Sequence, residues 1–198
     1  MKTKHLALSI AAVVMIALLI VFTLLTAESA SASEGNSERS IEQVYPVVLP
    51  NMSLIGLTAT CDGTVDGRRN TLANLWEAFG ATKALNNDPA IYRQKIYVVF
   101  YGHQPNTAAY SIFIGYGVIS WLQKDFTIDN KSIVMMDFPK GNYYGLDIRG
   151  TSTNSIIKGW NQLYNTYPND ISHRAMEIYT LDSDNYSVQN VTLYLKKQ

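Results

Sequence analysis

The residue best suited to chemistry is Glu177, in the run Ala175-Met-Glu-Ile-Tyr179. Side chains on a strand alternate faces, so Ala175, Glu177 and Tyr179 share one face, while Met176, Ile178 and Thr180 share the other. A carboxylate among apolar neighbours is costly unless it is paired or hydrogen-bonded. Three situations are open to it: pairing with the cation of a ligand, assisted by aromatic faces, pairing with Arg174 or Arg149 of the chain itself, or a place in water on an edge strand. The run Tyr110–Trp121 is a second candidate surface. Ser111, Phe113, Gly115, Gly117, Ile119 and Trp121 fall on one face, and Gly115 and Gly117 leave a dent between Phe113 and Trp121. Such a dent admits either a ligand or a packed neighbour. Of the tyrosines, Tyr101, Tyr143 and Tyr179 are read as lining a site, each offering an apolar wall with a polar handle.

Other chemistries find little footing. Beyond the N-terminal run the histidines are His103 and His173, far apart and without the spacing of a zinc set, so no metal or cofactor is expected. Cys61 is the only cysteine, which excludes an intrachain disulfide. No phosphate-cradling loop or dinucleotide glycine pattern occurs.

The elements that would position these residues recur. A strand over Ser53–Cys61 is followed by turn signals at Asp62-Gly63 and Asp66-Gly67. A helix then carries Leu72, Leu75, Trp76, Phe79 and Leu85 on one stripe. Ile96–Tyr101 and Tyr110–Trp121 follow as strands, joined through His103–Thr107. The plan repeats with strands Ser132–Phe138 and Tyr143–Arg149. A helix capped by Thr151 or Thr153 then carries Ile156, Ile157, Trp160, Leu163 and Tyr164, and a hairpin joins Ala175–Leu181 to Val188–Leu195. Trp76 and Trp160 take matching places on the two helices, where a core role is expected. The fold class is α+β: two pseudo-symmetric strand-helix-strand-strand halves, whose antiparallel sheets form a concave ligand cleft between them.

An uncharged run, Leu6–Ala27, opens the chain behind Lys2 and Lys4, and Ala30-Ser31-Ala32 follows it. Residues 1–32 are either a cleaved signal peptide or a transmembrane anchor. The two lysines remain on the cytoplasmic side in both cases. Residues 33–43 read as a polar tether, and 44–198 as one exported domain, in the periplasm or at the cell surface of a bacterium. Without Lys2, Lys4 and Glu28, the 16 basic and 16 acidic residues fall to 14 and 15. So balanced a charge excludes nucleic acid as a partner. The membrane is a partner only through an uncleaved leader.

The ordered pieces LIGLTAT (54–60), LANLWEAF (72–79), IYVVFYG (96–102), YSIFIGYGV (110–118), FPKGNYYGLDIRGT (138–151), GWNQLY (159–164) and AMEIYTL (175–181) resemble the gyrase-inhibitor-like (GyrI-like) effector-binding domains. The resemblance covers nearly all of the exported part, in a stand-alone form that lacks a DNA-binding domain. It implies a concave, aromatic-lined pocket for an amphipathic, often cationic small molecule, with an acidic residue that maps onto Glu177. The family's Pro-x-Gly-x-Tyr tyrosine maps onto Tyr143. Tyr144 replaces a small residue there, which implies a narrower pocket. The ligand-binding set expected is thus Glu177, Tyr179, Tyr143, Tyr101, Phe113, Trp121, Gly115 and Gly117. A non-enzymatic binding module is the first reading. Two others stay open: a hydrolase of strained electrophiles that uses a pocket Glu and Tyr, and a membrane-tethered protein-interaction domain.

Overall fold

The computed structural model describes residues 43–82, 91–103, 108–118, 133–149, 151–168 and 174–197. The apolar run, most of the tether, Ile119 and Trp121 lie outside these residues. Among the described residues no helix is long and apolar enough to cross a membrane. In chain order the elements are β1 (Tyr45–Leu49), β2 (Met52–Cys61), α1 (Val65–Ala81), β3 (Ile91–Tyr101), β4 (Tyr110–Val118), β5 (Ile133–Phe138), β6 (Gly141–Arg149), α2 (Thr153–Thr166), β7 (Ala175–Leu181) and β8 (Val188–Lys196).

Local chemistry sets the helix ends. Thr64 Oγ1 accepts from the Gly67 amide at 2.9 Å, so α1 begins at Val65. Asp66 and Gly67, expected in a turn, therefore lie in the first helical turn, where Asp66 also suits the positive end of the helix dipole. The second helix is capped by Ser152, not by Thr151 or Thr153, because the Ser152 hydroxyl accepts from the Ser155 amide at 3.2 Å. Ile157, read onto the apolar stripe of α2, is exposed.

The eight strands form one antiparallel sheet in the order β1-β6-β8-β7-β3-β4-β2-β5. Separate sheets were expected. They are fused into one because β3 and β7 pair directly, with Val98 opposite Glu177. The sheet is also strongly bent. β1 and β2 stand six places apart in the order, a gap of about 29 Å in a flat sheet. Leu49 and Met52 join them through Pro50 and Asn51 alone, a link that reaches at most about 11 Å. β5 and β6 stand equally far apart and are joined by Pro139 and Lys140. One register runs across both links, with Leu49 opposite Gly141 and Met52 opposite Phe138. The Lys140 amide donates to Asn51 Oδ1 across them at 2.6 Å. The two ends of the sheet therefore come together.

This bend creates an inside without any helix. Leu49, Leu54, Tyr97, Val99, Phe113, Phe138, Tyr143, Met176 and Ile178 form a buried cluster drawn from strands alone, including strands at both ends of the sheet. The other face carries the helices. Leu75 and Phe79 of α1 pack with Ile55, Leu57, Ile96, Val98, Ile112 and Ile114. Leu163 of α2 packs with Leu146, Ile148, Val191, Leu193 and Leu195. Burying side chains of this size stabilises the fold by about 1.5–3 kcal/mol each.

Gly115 shows how tightly the strands meet. It lies opposite Gly56, and an added Cβ would strike the Ile55 carbonyl oxygen and come within 2.6 Å of Phe113 Cζ. Gly115→Ala is expected to destabilise the fold by about 1–3 kcal/mol through overpacking, read as a lower urea midpoint. An unchanged midpoint would show that this space is free.

Candidate functional site

Glu177 lies on the helix-bearing face at the middle of the sheet, flanked by Val98 of β3 and Leu193 of β8. It is 5% exposed and is the buried charged residue of the described core. Its partners are neutral donors. Trp160 Nε1–H of α2 donates to Oε1 at 2.8 Å, and the Tyr179 hydroxyl donates to Oε2 at 2.6 Å. The Arg149 side chain lies outside what the structure describes. Arg174 stands over the Phe138 ring at 5.5 Å.

Aromatic rings from both helices surround this carboxyl. Trp76 of α1 meets Tyr179 edge-on at 5.3 Å, and Trp160 of α2 meets Phe100 edge-on at 6.4 Å. Tyr164 stacks on Trp160 at 5.5 Å. Each helix thus sets a tryptophan against a ring of the central strand pair. Trp76, Phe100, Trp160, Tyr164 and Tyr179 are all partly exposed, so the rings retain surface for a further partner.

Burial pushes the Glu177 carboxyl above the ordinary glutamate range, outweighing the opposing effects of the Tyr179 and Trp160 hydrogen bonds and of the Arg68 charge. Burial and the adjoining carboxylate push the Tyr179 hydroxyl well above its usual value. Chemically, the group can receive a cation, with ring faces adding cation–π attraction, or take up a proton.

The sequence-selected residues divide between two faces. Glu177 and Tyr179 meet on the face that carries α1 and α2. Phe113 and Tyr143 belong to the strand-only interior, with Tyr101 packed against it; none of the three reaches Glu177. Strand parity decides this: Val98 is in register with Glu177, and Val99 and Tyr101 point the opposite way. Tyr101 shares a hydrogen bond with Thr58 at 2.8 Å. Tyr143 stacks on Phe138 at 5.6 Å, and its buried hydroxyl has no hydrogen-bond partner among the described residues. The dent at Gly115 is filled by Phe113, and Tyr97 lies 3.5 Å from where a Gly117 Cβ would sit. Trp121 lies outside the described residues. Tyr144 stacks on Tyr167 at 3.6 Å rather than on the rings around Glu177.

Trp76 and Trp160 pack against the helix-side clusters, as a core role requires. Sequence reasoning did not foresee that the Trp160 N–H also holds Glu177, and it passed over Phe100. One signal was present: a tryptophan at the same place on each helix, carrying an N–H that needs a partner once it is buried.

No protein-family model matches the chain, and no curated protein matches it in sequence. Solved structures do. An integron cassette protein from the mobile metagenome of Vibrio cholerae is 14% identical, with a TM-score of 0.61 over 80% of this chain and 97% of its own. SAV2435, solved bound to tetraphenylphosphonium, is 14% identical, with a TM-score of 0.57 over 79% and 94%. The C-terminal domain of EcmrR is 10% identical, with a TM-score of 0.52 over 79% and 97%. The chain shares their fold. That fold is consistent with the GyrI-like resemblance.

A buried carboxyl with a raised folded pKa binds its proton more tightly in the folded state than in the unfolded one. The stability it contributes is complete below the ordinary glutamate pKa and is lost as pH rises through the folded value. In Glu177→Gln the Trp160 N–H still has an oxygen acceptor, and the amide can donate to the Tyr179 oxygen. The variant is expected to be more stable than wild type at pH 7–8 by roughly 1–3 kcal/mol, and to lose the decline above the carboxylate range. Parallel pH profiles of urea unfolding for the two proteins would contradict this.

Proposed function

We propose that this chain is a GyrI-like small-molecule-binding domain, and that its ligand is an amphipathic cation seated between α1 and α2 over Glu177. One observation carries this reading. A buried carboxyl, held by two neutral donors and in no salt bridge with a described residue, lies among partly exposed aromatic rings from both helices. Its ionised form is costly where it stands. A ligand cation offsets that cost, and aromatic groups on the ligand find Trp76, Trp160 and Tyr179 beside it. The complex of SAV2435 with tetraphenylphosphonium, on the same fold, supports the ligand class. The matched contacts of Trp76 and Trp160 support a two-fold relation between the halves, with the cleft on its axis. The leader supports export, so the cleft would meet its ligand outside the cytoplasm, free or tethered to the membrane.

Tetraphenylphosphonium is the first probe. It is to be titrated against the full-length protein in a non-ionic detergent, with tryptophan emission as the signal and detergent alone as reference. Wild type is expected to show saturable quenching, and Glu177→Gln to weaken binding about tenfold or more. Triphenylphosphine oxide, neutral and of similar bulk, is expected to bind both proteins alike. Equal affinity of the two proteins for the cation would remove Glu177 from the site.

Export has its own test. Alkaline phosphatase fused after Gln198 is expected to be active in bacterial cells and inactive once residues 1–32 are deleted. Equal activity with and without residues 1–32 would overturn it.

A further inference from the structure

Arg68, in the first turn of α1, is exposed, yet its side chain is held in one direction. Nε–H donates to the Tyr110 hydroxyl at 2.7 Å, and Cζ lies 5.7 Å from the centroid of the same ring. Tyr110 touches Phe100 at 6.3 Å, and Phe100 touches Trp160 at 6.4 Å. Arg68 is thus linked, ring by ring, to the donor that holds Glu177. Its neighbour Arg69 pairs with Asp66 at 3.6 Å, whereas Arg68 forms no salt bridge with a described residue. Its positive charge lies close enough to Tyr164 of α2 and to Glu177 to lower the pKa of each, against the larger effect of burial.

We infer that Arg68 is a charge filter at the rim of the cleft, which lowers the affinity for cations relative to neutral molecules of the same shape. The inference rests on the reading of the cleft as a cation site and names the ligands such a site retains. A guanidinium at the rim repels a second positive charge, and it partly meets the need of Glu177 for a counter-ion. A compact cation, with charge alone to offer, gains little. A singly charged ligand with aromatic bulk keeps its contacts with Trp76, Trp160 and Tyr179. A ligand with an acidic or neutral far end avoids the repulsion altogether. Arg68 is therefore a selectivity residue, and it touches the floor of the site only through its field.

The test uses full-length wild type, Arg68→Gln and Arg68→Lys, each titrated with tetraphenylphosphonium and with triphenylphosphine oxide at low and high salt. Arg68 is exposed, so neither substitution removes core packing. Arg68→Gln is expected to bind the cation about three- to tenfold more tightly than wild type at low salt, with the gain shrinking at high salt. Affinity for the neutral oxide should stay unchanged, and Arg68→Lys should resemble wild type. Equal cation affinity in wild type and Arg68→Gln overturns the inference. A parallel change for both ligands also overturns it, because shape would then be the cause. So does an Arg68→Lys that follows Arg68→Gln, because charge would then be irrelevant. Failure of wild type to bind either ligand is a separate outcome, which removes the cleft reading and this inference with it.

Discussion

The pairing of β3 with β7 is the constraint on which the rest depends. Each half of the chain could cover one face of its own strands with one helix, but neither alone would place a polar group at a protected centre. Joining the halves with Val98 opposite Glu177 puts that carboxyl midway along a single sheet, with α1 on one side and α2 on the other. The same register brings Phe100 and Tyr179 to the helix-bearing face, where Trp160 and Trp76 meet them edge-on. A slip of one residue at this seam would turn Glu177 into the strand-only interior and Ile178 out under the helices.

Bending divides the labour between the two faces. The short links at Pro50-Asn51 and Pro139-Lys140 pull the ends of the sheet together, and the interior fills with Phe113, Phe138, Tyr143 and Met176. That interior is closely filled, and Gly115 has no room for even a methyl group. The helix-bearing face is different at its middle, where two helices flank the central strands and leave rings partly exposed between them. Both sides of the sheet therefore bury apolar side chains, and only the helix-bearing side keeps partly exposed rings near its middle.

Much of this was legible from residue types. Alternation predicted the strands, the leucine and aromatic stripes predicted both helices, and the isolated acid in AMEIY stood out as a group in need of a partner. The face assignments were not legible beyond a single strand. Gly115 and Gly117 read as a dent, but Phe113 fills it at Gly115 and Tyr97 closes on Gly117, and which side of the sheet these residues face depends on pairings with β2 and β3 that are distant in sequence. Tyr143 and Tyr101 failed to join Glu177 for the same reason. Trp160 packs where its stripe placed it, but the stripe does not show that its N–H meets Glu177, which lies on a strand seventeen residues on. The fused sheet was equally hidden, since strand-helix-strand-strand repeats suit two sheets as well as one.

The choice of donors around Glu177 bears on why so costly a group is kept. An arginine in contact with it would satisfy the carboxylate and cancel its charge, leaving nothing for a ligand. An apolar ring in place of Trp160 or Tyr179 would leave an oxygen without a partner and drive the group to its neutral form. An indole N–H and a phenol O–H do neither, for they orient both oxygens and leave the charge uncompensated. The residual cost appears as the raised pKa of the carboxyl. On the proposed reading a bound cation would recover this same free energy, so the instability of the unbound carboxyl and the affinity for the cation would be two readings of a single interaction.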